Sequence, residues 1–252
     1  MKRVQSLIIV LLGALAFMSC TKSTDPSVTS NLSLKMSAAS VDGKTSMGGR
    51  ISSADGRTSS TITLTDVKVN LRELEFEFDH DDDHFKKDPD FDEDNEAKLK
   101  GPFIIDLMNA GSFVDQVVTS VNVPNARYEK IKFKLSPSEE NGDMKGKSVL
   151  ITGSIGDTPF IFWHNARAKF GAKFSDNTSI TTSGEAVTVA IHLELDKILS
   201  KLNGGVDLST AQDRNNDGTI TIDPMNDDGN KELADAIMNL LTRHTHCEKE
   251  KH

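Results

Sequence analysis

Five residues spaced two apart, Asp213, Asn215, Asp217, Thr219 and Thr221, lie in the segment DRNNDGTIT, which reads D-x-N-x-D-G-x-I. Three side-chain oxygens at that spacing can converge from one tight turn on a hard cation. Calcium is such an ion, taking six to eight oxygens at about 2.3–2.6 Å. Gly218 allows the sharp turn, Thr219 offers its carbonyl, Thr221 acts through water, and Ile220 packs inward. The twelfth position of such a loop, normally a bidentate carboxylate, is Pro224. Asp223 precedes it, and Asp227 and Asp228 lie a few residues on. The spacing therefore predicts a variant calcium loop using Asp213, Asn215, Asp217, Thr219 and Thr221, with the missing carboxylate coming from Asp223, Asp227 or Asp228, or from none of them. Its ion would be structural, because no adjacent residue has the character of a nucleophile or a general base. The same Asn-Asp-Gly run also suits a bare hairpin turn.

Two further clusters carry metal-ligating types. Between Asp79 and Glu96 ten acids surround His80 and His84 and face two lysines. Such density repels itself and stays solvated, which predicts a long polar hairpin loop. Imidazoles beside Asp81 and Asp83 suit a transition metal more than calcium, and the acids could also dock a basic partner. Near the C-terminus His244, His246 and Cys247 form a His-x-His-Cys run suited to zinc or copper. Its charged neighbours predict a frayed tail with an exposed thiol.

Catalytic signatures are missing from the sequence. There is no G-x-S-x-G elbow, P-loop, H-E-x-x-H or dinucleotide fingerprint, so the expectation is a protein without enzymatic activity. A hydrolase using a carboxylate pair is the alternative from another class, and it has no motif of its own. Trp163 and Tyr128 are the only residues of their types. Both fall in strand patterns where core packing is expected, which argues against a carbohydrate platform. An accessory that captures a glycan or peptide remains the second binding reading, and an exposed Trp163 or Tyr128 beside a groove would favour it.

The N-terminal residues set the expected compartment. Lys2 and Arg3 precede an apolar run from Leu7 to Phe17, a signal-peptide pattern. Eleven helical residues cover roughly 17 Å, well short of the roughly 30 Å hydrocarbon core. Cys20 follows Phe17-Met18-Ser19 and so resembles a lipobox cysteine, cleaved on its N-terminal side and bearing acyl chains such as palmitate on sulfur and amine. Several chains anchor far more firmly than one. Thr21 follows the cysteine, which by resemblance to Gram-negative sorting favours the outer membrane. Residues 21–28 would then be a tether of at most about 28 Å.

The elements that must position these groups read as strands. Among 252 residues, 37% are hydrophobic and 27% charged, enough to bury a core. The net charge is −9, and removing residues 1–19 deletes two positive charges to leave −11. That balance makes nucleic acid a poor partner, because phosphate binding needs clustered positive charge. Alternation begins at Leu32, Leu34 and Met36, and resumes from Thr61 with two parity switches that predict bulges. Short strands are expected at 103–108, 117–123, 128–135, 148–154, 159–163, 168–174 and 187–195. Without helical periodicity between them, an antiparallel β-sandwich is predicted. Asp196 to Leu202 suits a short helix, and Leu233, Ile237, Leu240 and Leu241 suit a longer one capped by Asn230. The expected division is a signal peptide (1–19), lipidated cysteine and tether (20–29), sandwich (30–203), and calcium-loop and helix extension with a charged tail (204–252).

The segments LTDVKVNLREL (64–74), FIIDLMNAG (103–111) and VPNARYEKIKF (123–133) together resemble a bacterial lipoprotein β-sandwich domain family. The likeness spans about residues 30–200 and implies export and a sandwich, with no established activity. Where that family has Pro-x-Gly-x-Tyr, this chain has Asn125-Ala126-Arg127 between proline and tyrosine. Residues 213–221 in turn resemble an EF-hand or dockerin-type loop.

Overall fold

The computed structural model describes residues 29–39, 50–55, 58–78, 96–174 and 179–250. The expected signal peptide, Cys20, the tether, and His80, Asp81, Asp83 and His84 of the acidic segment lie outside the described residues. The chain begins with β1 (Thr29–Ala39), β2 (Arg50–Asp55) and the 21-residue β3 (Thr58–Phe78). Next come β4 (Glu96–Asp106), β5 (Met108–Asn109), β6 (Ser112–Phe113), β7 (Gln116–Pro124) and β8 (Arg127–Leu135). Then follow β9 (Val149–Ile155), β10 (Thr158–His164), β11 (Lys169–Lys173), β12 (Ile180–Thr181) and β13 (Val187–Glu194). Helix α1 (Leu195–Leu199), β14 (Ile220–Ile222), α2 (Lys231–Arg243) and β15 (Thr245–Lys249) complete it.

These strands form a mainly β, sandwich-like fold. The smaller sheet runs β15-β13-β1-β7, and the larger runs β11-β8-β3-β9-β10-β14, with β2 and β4 also on β3 and β12 on β8. Leu32, Leu34 and Met36 of β1 and Val189, Ile191 and Leu193 of β13 meet Leu64, Val67, Phe160 and Phe162 of the larger sheet in one buried cluster. The two parity switches in β3 coincide with bulges. Pairing with β9 shifts between Leu64 and Asp66, and pairing with β4 and β8 shifts between Leu71 and Glu73. Each shift returns the apolar side chains to the core. Close approach at the first shift requires Gly153, since a Cβ there would overlap the Thr63 carbonyl oxygen.

The structure departs from the sequence reading in three respects. Not every pairing is antiparallel: β1 runs parallel to β13, and β14 parallel to β10. Residues after 203 add β14 to the larger sheet and β15 to the smaller one, so they form part of both layers. The expected frayed tail is instead β15, paired with β13 from Thr245↔Leu193 to Lys249↔Val189, with Cys247 fully buried. Thr245 and Cys247, at alternate positions, turn inward, and Glu248 and Lys249 stay exposed at the strand's end.

Helix α2 buries Ala234, Ile237, Met238 and Leu241, while Leu233 and Leu240 are only half-buried. Those positions, at i, i+3, i+4 and i+7, form one stripe facing the sandwich. Each large apolar side chain buried there contributes about 1.5–3 kcal/mol. Among the described residues no helix is long and apolar enough to cross a membrane.

Candidate functional site

The loop between the short turn at Leu208–Thr210 and β14 is shaped by two left-handed residues, Asn216 (φ 59°) and Gly218 (φ 87°). They curl the chain so that its own amides point at its own carboxylates. The Asp213 carboxylate accepts the N–H of Asp217 at 3.2 Å and of Gly218 at 2.9 Å. Asn215 Oδ1 also accepts the Asp217 N–H, at 2.9 Å, and Asp217 Oδ1 accepts the Thr219 N–H at 2.8 Å. Asn215 Nδ2 donates to Asp217 Oδ2 at 3.2 Å. Asp213, Asn215 and Asp217 thus share the inner side of one turn. Ile220 then enters the core, and β14 fixes the loop's exit against β10 through Phe160↔Ile220.

The two nearby buried acids divide their work. Asp223 is fully buried but turns away from the loop, accepting the N–H groups of Met225, Asn226 and Asp227 at 2.5, 3.0 and 3.4 Å. Asp228, equally buried, reaches back to it. Its carboxylate accepts the Asn215 N–H at 3.2 Å and the Thr221 N–H at 2.7 Å, bridging both limbs. Thr219 and Thr221 stand half-buried on the exit limb. Nothing in the local spacing singles out Asp228 among the acids after Pro224; the turn capped by Asp223 brings it back.

Asn230 closes the arrangement. It stands before α2 without capping it through its side chain, contrary to expectation. Instead its Oδ1 accepts the Gln212 N–H at 3.0 Å, and its Nδ2 donates to the carbonyls of Gln212 at 2.7 Å and Thr221 at 2.8 Å. An amide can satisfy both donor and acceptor groups, and burial commits this one to the loop. The Lys231 N–H goes to Asn226 Oδ1 at 3.0 Å.

The electrostatics are one-sided. Asp213, Asp217, Asp223, Asp227 and Asp228 share the segment with Arg214, whose Nε donates to Gln212 Oε1 and whose guanidinium lies over Gly229. Among the described residues none of the five acids has an ion pair. A buried carboxylate without counter-charge is costly, and amide donors offset only part of that. The donor set of carboxylates, one amide and main-chain carbonyls is hard and all-oxygen, the type calcium takes. Among the described residues, no three His, Cys, Asp or Glu side chains already converge as a metal cluster.

A second group of polar side chains lies on the outer face of the smaller sheet. His246 sits opposite His192 in register, their ring centroids 5.2 Å apart. His192 Nδ1 meets Ser37 Oγ at 2.8 Å, and its Nε2 meets Glu248 Oε1 at 2.9 Å. Cys247 points the opposite way, so the expected His-x-His-Cys set is not brought together. Burial pushes the Cys247 thiol far above its ordinary range.

Of the remaining candidates, Tyr128 and His164 have structural partners. Tyr128 is buried and donates to the Pro124 carbonyl at 2.8 Å. Trp163 is half-buried. His164 Nδ1 accepts the Ala166 N–H at 2.9 Å, leaving Nε2 toward Asp235 at 3.4 Å. A cleft of about 640 Å³ lies among Thr181, Ser183, Glu185, Val187 and Lys249, and one of about 370 Å³ among Val206, Asp207, Asn230 and Leu233. Neither is lined by Trp163 or Tyr128. Compared with family models, curated proteins and solved structures, the chain has no match.

Proposed function

We propose that this chain is an exported, lipid-anchored binding or structural protein without enzymatic activity, whose C-terminal loop holds a structural calcium ion. The observation that carries the reading is the placement of Asp213, Asn215, Asp217 and Asp228 around one turn, with no basic partner among the described residues. Of the three acids that could supply the missing carboxylate, this reading uses Asp228, because Asp223 is engaged by its own turn. Thr219 would add its carbonyl, and Thr221 a water-mediated contact. The ion would lock β14 and α2 to the sandwich by neutralising carboxylates that the fold has gathered. Cys20 after Met18-Ser19 supports acylation in the cell envelope, and Thr21 supports the outer membrane of a Gram-negative bacterium. The net charge of −9 supports a cation, not nucleic acid, as partner. Burial of Tyr128 takes away one of the two rings that a glycan platform would use, so the partner is sought first among proteins.

The test is thermal unfolding of residues 21–252 in EDTA and then in millimolar calcium or magnesium. An ion at 100 times its dissociation constant stabilises by about 2.7 kcal/mol, or roughly 5–11 °C in a domain of this size. A calcium-specific rise that Asp217→Ala and Asp228→Asn each abolish is expected, and no rise with either ion overturns the calcium reading. Anchoring is tested separately. Cys20→Ala should move the protein from the membrane fraction to the soluble one, and unchanged membrane association would overturn it.

A further inference from the structure

Pairing of β15 with β13 sets His246 opposite His192 and places His244 beside Glu194, whose N–H donates to the His244 carbonyl at 3.0 Å. Because Ile191, Leu193 and Cys247 face the core, His192, Glu194 and His246 share the opposite face of the two strands. The Glu194 carboxylate is bracketed. His244 Nδ1 stands 3.6 Å from its Oε2, and His246 Nδ1 stands 3.9 Å from its Oε1. Both separations exceed the range of a hydrogen bond. Both fit two ligands of a single ion, which lie at most about 4.3 Å apart when each bond is about 2.0–2.2 Å. The cation now at Glu194 is the Lys197 amine, 2.7 Å from Oε1 on the first turn of α1.

We propose that Glu194, His244 and His246 bind a transition-metal ion, with zinc as the probe, and that the Lys197 amine is the cation it displaces. Two imidazole nitrogens and one carboxylate suit zinc and its neighbours, and not calcium, and a water would complete four-coordination. The donors do not yet converge, since the two imidazoles approach different oxygens of the carboxylate. Their backbones are held by the β13–β15 ladder and by the end of α2, where the His244 N–H donates to the Leu240 carbonyl at 2.8 Å. His192 acts as a positioning residue: gripped by Ser37 and Glu248, its ring limits where the His246 ring can turn. The site is separate from the calcium loop and does not depend on it.

The experiment is zinc titration of the full mature chain against a chromogenic chelator, in saturating calcium, with unfolding midpoints taken for every variant. One equivalent of zinc is expected, bound at least tenfold more weakly by Glu194→Gln and by His244→Ala. Lys197→Met, which removes the competing cation, should bind several-fold more tightly, a gain that a merely structural cluster would not show. Imidazole nitrogen resonances of His244 and His246 should move together on zinc addition. No zinc bound, an equivalent retained in the His244→Ala/His246→Ala double variant, or binding lost only with His80→Ala/His84→Ala would each overturn the assignment.

Discussion

Replacing Asn230 by alanine isolates the clamp that joins the loop to β14 and α2. The side chain is 6% exposed and makes three bonds to main-chain groups, at 3.0, 2.7 and 2.8 Å. At about 1 kcal/mol net for each bond, the loss comes to about 3 kcal/mol. Gln212 is exposed, so water can take up its two groups, whereas the half-buried Thr221 carbonyl is harder to resolvate. That asymmetry keeps the figure near the sum of three ordinary bonds. In a domain of this size each kcal/mol moves the midpoint by about 2–4 °C, so Asn230→Ala should melt about 6–12 °C lower. The assay is circular dichroism melting in EDTA, so that ion binding cannot mask the change. Hydrogen exchange should show faster exchange at the Gln212 amide, whose acceptor is removed. A fall of less than about 1 kcal/mol would mean that water substitutes for the amide at all three contacts. The clamp would then be incidental to stability.

Gly153→Ala should cost about 1–3 kcal/mol by overpacking, because its methyl would overlap the Thr63 carbonyl and press on Phe160 Cε1 at 3.0 Å. An unchanged urea midpoint would refute the close approach at the first bulge. The hydrogen bond from Lys68 holds the Asp143 carboxyl below its ordinary 3.8. An acid depressed in the folded state adds stability above its unfolded value, and loses it as pH falls from 3.8 through the folded value. Lys68→Met should return the Asp143 titration to the ordinary range in a carboxyl-carbon NMR experiment, and an unmoved titration would sink the pairing. Cys247, buried and with its thiol pushed upward, should resist thiol reagents in folded residues 21–252 and react fully in denaturant. Rapid labelling of the folded chain would contradict the inward placement of β15.

What the sequence disclosed and what it hid follow one division. Period-two alternation is local, so β7, β8, β9, β10, β13 and the end of β4 were legible, as were the switches at Leu64 and Leu71. The triad of Asp213, Asn215 and Asp217 was legible for the same reason. Asp228 was not, because its approach depends on a turn that Asp223 builds from three amides. The three-residue β14 is too short to show periodicity, and its parallel partner Phe160 lies 60 residues earlier. In β15 the alternation of Thr245 and Cys247 with His246 and Glu248 was present, but the charges nearby outweighed it in a reading by composition. Glu194 and His192 could not be joined to His244 and His246 without the β13–β15 register.

The parallel pairing of β1 with β13 also fixes a schedule. Leu32 meets Val187, 155 positions later in the chain. At the usual 5–20 residues per second of synthesis, about 8–30 s separate the appearance of the two. Strand β7 arrives sooner and can cover one edge of β1 through Leu32↔Val121. The other edge, with Leu32, Leu34 and Met36 beside it, waits for the last quarter of the chain. Loop closure over that distance makes this a late and slow step. A chain interrupted before β13 would therefore carry an open, apolar strand edge, the form most exposed to aggregation and to proteases.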